Sequence, residues 1–578
     1  MNRYFIVSPR IVRLWNRLTK WELTAPLEDI AIGRFLVAIG LILILFSSIF
    51  MRNAYIALLS KPTKQFAFRS DPKNLFRGNI LDRNQHLLAT TVTGYNLTVD
   101  PSRVKDKDRL VAEIVKVYPQ LDPVAFRQAL ETRQKYLVVA RDISPQQMAL
   151  VQAKQLAGIR FENMPHRVYP YGNLLSHVVG SMNMDHQPQS GIEYKLNDQL
   201  KNLDTINLSI DVRVQQILHD TMQDARIKYQ ATGAGGIVMD TENGQLLGLV
   251  SLPDYDPYRP QLTDPSLINR VTLAAYEMGS TFKIFNTAMA LHYNTAQLDS
   301  LYQVDQPIRI GPYRINDFEK HQPILSVAEI FTLSSNIGSG QMADQLSSQQ
   351  QMDFLRSLGI LSSPSLEIPE VGRPIYPRSW NRTERITISY GQGIAVSMLQ
   401  MARATAAMVN GGYLVNPTLL ANSDGNGADR TRVISAEISE QIQSLMRLAV
   451  ERGTGAAANG SGYAIGGKTG TAQRPDEQNQ GYSRTSVNAS FIGVFPMERP
   501  RYLVMILLED PKGLGAGRTE NTAGKIVAPA VRTVVSQIGP ILGQVGTVHA
   551  NSGRIGVNQA RGDSSSIVQR AIARNNEP

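Results

Sequence analysis

The stretch Glu277-Met278-Gly279-Ser280-Thr281-Phe282-Lys283, followed at once by the helix-like run Ile284–His292, decides how the rest of the chain is read. If the run is helical from its first turn, Ser280 and Lys283 stand three residues apart and face the same way. A serine hydroxyl is a poor nucleophile until a neighbouring base takes its proton, and a lysine does so only where its surroundings favour the neutral amine. The spacing therefore suits an activated nucleophile. It also arises by chance, since Ser70-Asp71-Pro72-Lys73 has the same form. Other parts of the sequence have to separate the two.

At 578 residues the chain is too long for one ordinary core, so two or more domains are expected. Hydrophobic residues make up 43% and charged residues 19%, a balance that folds rather than stays disordered. Cysteine is absent, which excludes disulfides, thiolate metal sites and cysteine nucleophiles. The eight histidines are scattered without a His-Glu-x-x-His spacing, so no metal and no other cofactor is expected. A formal charge of +10 is spread along the chain rather than gathered into a stripe. That argues against nucleic acid and suits an anionic surface such as a membrane or an acidic polymer.

Residues 1–34 carry Arg3, Arg10, Arg13, Arg17, Lys20 and Arg34, and an uncharged run from Phe35 to Met51 follows. At about 1.5 Å per residue this run spans about 25 Å, with Arg34 and Arg52 placed to snorkel at its ends. The reading is a single transmembrane helix over 35–52, with 1–34 cytoplasmic and all that follows outside. A cleaved signal peptide fits less well, because the apolar run is long and no Ala-x-Ala site follows.

Residues 53–205 read as a separate pedestal module, with strand-like Tyr95–Val99 and Tyr136–Val139 and a helical stretch Pro145–Leu156. Its fragments Arg77-Gly78-Asn79-Ile80-Leu81-Asp82-Arg83, Arg167-Val168-Tyr169-Pro170-Tyr171-Gly172 and Gly191-Ile192-Glu193 alternate charge with glycine and apolar residues. That pattern predicts salt-bridged loops rather than catalysis. Residues 206–545 open with a helix over Val212–Ala225 and a tight hairpin at Asn243-Gly244, both of whose residues accept positive φ. A helix over Met398–Val409 closes on Asn410-Gly411-Gly412. Strands at Ala464–Lys468, Ser490–Phe495 and Tyr502–Leu508 and a helix near Val527–Ile538 complete the region. Strands first, helices in the middle and strands last predict an α+β domain, an antiparallel sheet with helices packed against it. Residues 546–578 read as a disordered tail.

Two further signals bear on Ser280. Ser334-Ser335-Asn336 interrupts a helical region and offers a hydroxyl to pass a proton and an amide to hold a substrate carbonyl. The pattern recurs at Ser181-Met182-Asn183 and Ser486-Val487-Asn488, so alone it decides little. Gly466-Gly467-Lys468-Thr469-Gly470-Thr471-Ala472 is sharper. On an edge strand its glycines let a substrate lie against the backbone, while Lys468 and the Thr469 hydroxyl hold a carboxylate. A Gly-rich turn with a solvated lysine is the other reading of that heptapeptide. A phosphate-binding loop fits worse, because Thr469 opens no helix.

In the order Ser-x-x-Lys, Ser-x-Asn, Lys-Thr-Gly, the three elements form the set carried by penicillin-binding proteins and class A β-lactamases. With Ser389-Tyr390-Gly391-Gln392-Gly393, Asn488-Ala489-Ser490-Phe491-Ile492-Gly493, the pedestal fragments and the anchor, the chain resembles class B penicillin-binding proteins from about residue 30 to residue 545. Pro312-Tyr313-Arg314-Ile315-Asn316-Asp317 and Asn521-Thr522-Ala523-Gly524 look most like the division-septum D,D-transpeptidases of Gram-negative bacteria; the elongation-specific type is the nearest competitor. Two departures stand out: Met278 where the family usually has Pro, and Gln85 where it usually has Gly.

The resemblance implies a penicillin-binding transpeptidase fold and a substrate of peptidoglycan stem peptides ending in D-Ala-D-Ala, with β-lactams as mimics. It implies Ser280 as nucleophile, Lys283 as base, Ser334 as proton relay, and Asn336, Lys468, Thr469, Gly470 and Thr471 as substrate-binding residues. The oxyanion is expected on the backbone N–H groups of Ser280 and Thr471. It also implies a bacterial inner-membrane location with the catalytic domain in the periplasm at the septum. The implied partners are a polytopic septal glycosyltransferase and other division proteins. A β-lactamase would need a deacylating carboxylate, and Glu367, Glu370 and Glu384 lack the Glu-x-x-Leu-Asn setting. A D,D-carboxypeptidase and a non-catalytic penicillin-binding sensor or scaffold remain as alternatives.

Overall fold

The protein's structure is a computed structural model that describes residues 39–40, 42–49, 51, 76–131, 135–183, 185–260, 263–311, 313–421, 430–460, 462–475, 481–513 and 522–544. The chain divides into two units, Met1–Ser70 and Asp71–Pro578. In the first, the described residues between 39 and 51 are helical. Among the described residues no helix is long and apolar enough to cross a membrane. The segment expected as cytoplasmic, the expected tail over 546–578 and the pair Ser70 and Lys73 lie outside the described residues.

The second unit begins with a five-stranded sheet. It comprises β1 (Ile80–Leu81), β2 (Leu87–Val99), β3 (Leu137–Ala140), β4 (Ile159–Val168) and β5 (Ile206–Asn207), in the order β3-β2-β1-β5 with β4 also paired to β2. Helices α1 (Lys107–Val117), α2 (Pro123–Ala129) and α3 (Pro145–Gln152) share a small core with it, built on Leu97, Val99, Leu110, Ile114, Phe126 and Val151. Each helix starts on a capping side chain, Asp106, Asp122 or Ser144, that accepts from first-turn amides. The third ends at Gln152, short of the predicted Leu156, and the chain turns at Gln155 with φ 48°.

The predicted salt-bridged loops are a buried triad. Glu193, 0% exposed, accepts from Arg77 Nε (2.9 Å) and Arg167 Nε (2.6 Å), and the second guanidinium also donates to Gly78 O (2.8 Å). Beside it Asp82, also fully buried, accepts from the amides of Asn84 (2.7 Å), His86 (2.8 Å) and Val212 (3.2 Å). One carboxylate thus ties the β1–β2 turn to the helix that opens the next region.

That helix is α4 (Val212–Lys228), capped by Asp211 and ending past the predicted Ala225 with Arg226 and Lys228 in its last turn. It packs on a second five-stranded sheet, made of β6 (Gly233–Asp240), β7 (Leu246–Leu252), β10 (Gly466–Pro475), β11 (Tyr482–Phe495) and β12 (Tyr502–Glu509). The order is β10-β11-β12-β6-β7, antiparallel throughout. Two short strands, β8 (Tyr276–Glu277) and β9 (Ala395–Val396), pair with each other apart from it. The β6–β7 turn is wider than predicted. Asp240 and Gln245 close it by a backbone bond of 2.9 Å, and of the expected pair Gly244 takes positive φ (78°) while Asn243 does not. Four intervening residues absorb the reversal that a two-residue turn would force on both.

Side chains alternate across this sheet. Ile237, Met239, Ile492, Val494, Leu503 and Met505 face one core, shared with α5 (Lys283–His292), α8 (Met398–Val409) and α9 (Ala436–Glu451). Val238, Phe491, Phe495, Val504 and Ile506 face the other, shared with α4 and α10 (Ala528–Ile541). The short helices α6 (Val327–Leu333) and α7 (Asn336–Asp344) pack against α5 and against each other, and α6 also packs on α9. The first core continues through Ile80, Leu88, Val178 and Ile192, so the base of the first sheet and the second sheet share one core.

Glu193→Ala leaves two buried guanidinium groups without their counter-charge and should lower stability by about 3–5 kcal/mol in denaturant unfolding. Gln85, where the resemblance predicts glycine, holds φ 68° in the β1–β2 turn. Relieving a left-handed non-glycine residue recovers about 1–2 kcal/mol, so Gln85→Gly should raise the unfolding midpoint.

Candidate active site

The nucleophile stretch is split between two kinds of helix. Gly279–Phe282 forms a single 3₁₀ turn and the α-helix begins at Lys283, so Ser280 precedes α5 rather than lying within it. The turn still brings the two groups together, with Lys283 Nζ 3.0 Å from Ser280 Oγ. Met278, in the place of the usual proline, has φ −92°, wider than a pyrrolidine ring allows, and its side chain is buried in the first core. Packing therefore fixes the approach to Ser280 where ring closure would otherwise do so. On one side Gly391 presses against it: a Cβ there would lie 2.2 Å from Gly279 O, and Gly279 N donates to Gly391 O (3.2 Å). On the other a Cβ at Gly470 would lie 2.5 Å from Met278 O. Glycine at both positions lets β10, an edge strand, and the 389–393 loop meet the turn backbone to backbone. The segments bearing the amides of Ser280 and Thr471 are thereby brought side by side.

Lys283 is 1% exposed and Lys468 0%. Lys283 Nζ contacts Ser334 O (2.5 Å), Asn336 Oδ1 (2.8 Å), Ser334 Oγ (3.1 Å) and Ser280 Oγ (3.0 Å). Two of these four are carbonyl oxygens that only accept, so they take two N–H bonds. The remaining valence faces the hydroxyls, as a third N–H in the ammonium and as a lone pair in the amine. Burial, and after it the charge of Lys468, hold Lys283 well below the usual lysine range, against the opposite pull of Asp317. Burial brings Lys468 down to about 7. Its Nζ donates to Ser334 Oγ (2.9 Å), so one serine hydroxyl sits between both lysines.

The Ser334-Ser335-Asn336 loop is thus in the site, at the break between α6 and α7. Ser334 adopts φ 65°, ψ 38°, a left-handed conformation that a serine seldom takes. Asp317 holds it there: its carboxylate accepts from Ser335 Oγ (2.7 Å) and from the amides of Asn336 (2.5 Å) and Ile337 (2.9 Å). The other Ser-x-Asn patterns lie elsewhere. Asn183 O is bonded in a local turn, and Ser486–Asn488 runs along β11.

Lys468 points inward to Ser334 rather than outward to a carboxylate. Thr469, 7% exposed, shares its hydroxyl with that of Thr454 (2.7 Å). Gly470 supplies the close approach described above, and Thr471 Oγ1 accepts from Ala523 N (3.1 Å) at the start of a short helix. One residue in the site had no assigned role in the sequence: Asp317, which has no local spacing to Ser334.

A serine hydroxyl bonded to a desolvated lysine, a second hydroxyl bridging to a second lysine, and an open strand edge alongside define an active-site serine acyltransferase. Known proteins agree. Residues 234–536 match the penicillin binding protein transpeptidase domain, and residues 73–209 the penicillin-binding protein dimerisation domain. The chain belongs to the penicillin-binding protein transpeptidase family. A Caulobacter vibrioides protein named "Probable peptidoglycan D,D-transpeptidase FtsI" is 30% identical over 547 residues, 92% of each chain. "Stage V sporulation protein D" of Bacillus subtilis is 28% identical over 507 residues, 79% of this chain and 77% of its own. In fold, the crystal structure of penicillin binding protein 3 from Mycobacterium tuberculosis complexed with aztreonam superposes with a TM-score of 0.64 at 22% identity, covering 82% of this chain and 97% of that one.

Attack requires the amine, so acylation of Ser280 should rise with pH through the depressed pKa of Lys283. Asp317 favours the ammonium. Asp317→Asn keeps an oxygen to cap α7 but removes the charge. The Lys283 pKa then falls further, and the acidic limb of the acylation-rate profile should move down by about one pH unit.

Proposed function

We propose that this chain is the septal peptidoglycan D,D-transpeptidase of its cell, with 1–34 in the cytoplasm and 35–52 as the membrane anchor. Residues 53–205 form the pedestal, 206–545 the periplasmic catalytic domain and 546–578 a tail. The observation that carries the enzymatic reading is the 3.0 Å contact between Lys283 Nζ and Ser280 Oγ inside a box closed by Ser334 and Lys468. The septal reading is supported by the sequence likeness to division-septum types and by the relative that bears the FtsI name. A polytopic glycosyltransferase and other division proteins are the partners this reading implies.

In acylation, the Lys283 amine takes the Ser280 proton as Oγ attacks the carbonyl carbon of the penultimate D-Ala. Charge develops on the carbonyl oxygen, which the amides of Ser280 and Thr471 receive. The tetrahedral intermediate collapses with cleavage of the C–N bond. The proton reaches the departing D-Ala nitrogen through Ser334 Oγ, whose oxygen the Lys468 ammonium holds. Asn336, its Oδ1 bonded to Lys283 and one Nδ2–H to Asn316 O, orients the base and leaves its second Nδ2–H for the stem's carbonyl. In the second step an amine of a neighbouring stem attacks the ester, Ser280 leaves, and a cross-link forms. A β-lactam mimics D-Ala-D-Ala and leaves Ser280 acylated.

With full-length protein in detergent, Ser280→Ala should lower fluorescent-penicillin labelling at least about a thousandfold. Labelling that survives would remove Ser280 as the nucleophile. Wild type given stem peptides should yield cross-linked dimers, whereas shortened stems and free D-Ala alone would make it a carboxypeptidase. A tagged copy should concentrate at the septum, and uniform lateral signal would mark the elongation type.

A further inference from the structure

The loop over residues 372–380 is tied to the strand that leads into the nucleophile turn. Ile375 exchanges both backbone bonds with Ala395 (2.8 Å each), and Ala395 pairs in turn with Glu277 on β8. Neighbouring strands lie about 4.8 Å apart, so two such rungs put Ile375 about 10 Å from Glu277, three residues before Ser280. Pro374 and Pro377 restrict φ on either side of the rung, and Trp380 Nε1 donates to Gln351 Oε1 (2.6 Å).

The loop is anchored, yet it leaves large side chains in solvent. Ile375 is 67% exposed and Tyr376 44%, and the Tyr376 ring leans on that of Trp380 with centroids 6.3 Å apart. Arg373 and Arg378 bracket Ile375 and Tyr376 and are exposed as well. Among the described residues neither arginine forms an ion pair, whereas Arg382 and Arg385 a few residues on share Asp344. The carboxylates of the same stretch are engaged elsewhere: Glu367 by Thr418 and Leu419 N, Glu370 by Gly191 N, and Glu384 by Asn381 N. A stiff loop that shows an aromatic ring and two unpaired guanidinium groups to water is preorganised for a ligand with apolar faces and carboxylates.

Peptidoglycan has both. Its glycan is a polymer of sugar rings, whose C–H faces suit an aromatic surface, and its stems carry free carboxylates that a guanidinium fork matches. While one stem reacts, the rest of its strand must lie outside the cleft. The formal charge of +10 on the chain favours such a polyanion.

We propose that Arg373, Ile375, Tyr376 and Arg378, backed by Trp380, form a platform for the peptidoglycan strand whose stem is reacting; this rests on the transpeptidase reading above. Sugar faces lie on Ile375 and Tyr376, and the two guanidinium groups take carboxylates of neighbouring stems. Holding the polymer there raises the local concentration of stems at the cleft and leaves acyl transfer itself untouched.

The test compares two substrates of full-length protein in detergent: uncross-linked strands of several disaccharide-peptide repeats, and single stem peptides of the same sequence. Arg373→Gln combined with Arg378→Gln should raise KM for strands about tenfold at unchanged kcat. KM for single stems and the rate of penicillin acylation should stay at wild-type values. Tyr376→Ala should raise the strand KM severalfold. An unchanged strand KM in these variants would overturn the platform and leave the patch to a protein partner. Equal losses with both substrates, the mark of a disturbed fold, would overturn it as well. Wild type already acylated by penicillin should still bind strands, severalfold more weakly at about 0.3 M NaCl than at about 0.05 M. No strand binding by the acylated protein, or binding indifferent to salt, would count against the platform in the same way. No penicillin acylation of wild type would instead overturn the transpeptidase reading, and the platform with it.

Discussion

The two lysines in the cleft are almost wholly removed from water, and the rest of the catalytic region is arranged to make that tolerable. A buried ammonium without a counter-charge is costly enough that the group sheds its proton. Burial pushes Lys283 in that direction, and its oxygens suit the amine: two obligate acceptors for two N–H bonds and two hydroxyls for the lone pair. Lys468 is given one hydroxyl and one backbone carbonyl, Thr469 O at 3.3 Å. The nucleophile is therefore activated by solvent exclusion more than by any carboxylate.

Exclusion of water requires three unlike segments to meet without gaps. The 3₁₀ turn brings the serine, the edge strand brings Lys468, and the α6–α7 break brings Ser334. Glycines at 391 and 470 let the first two close on each other, and the left-handed Ser334 is the strained joint of the third. Asp317 offsets that strain with three hydrogen bonds, one of them across the very residue that positions Asn336. Packing density and catalytic geometry are one property here, because any looseness that admitted water would restore the ammonium.

Those relations explain what was legible in the sequence. Ser280 and Lys283 could be read because their pairing is local and set by helical spacing. Lys468 and Ser334 could be read because order along the chain stood in for proximity. The α+β layering followed from the succession of strands and helices, but β10 and β11 run well past the predicted Ala464–Lys468 and Ser490–Phe495, on to Pro475 and back to Tyr482. Asp317 could not be read as functional, since its partners lie across a break of loop and strand whose meeting no spacing encodes. The inward turn of Lys468 was hidden for the same reason: direction depends on what packs over the strand. Gln85 was visible as an oddity, and the fold gives it meaning as a side chain held at positive φ.

Charge in the cleft is sorted by depth and by side. Lys468 donates to Ser334 Oγ, where a leaving amine needs a proton. Asp317 is placed behind that loop, where it modulates Lys283 without reaching the substrate. Glu277 is pinned by Tyr482 and Gly393 and forms no ion pair with either lysine. Had Glu277 faced Lys283, the ion pair would have held the lysine as ammonium and the nucleophile would be idle. With its carboxyl held by Gly393 N and Tyr482 Oη instead, Glu277 leaves burial as the chief influence on Lys283.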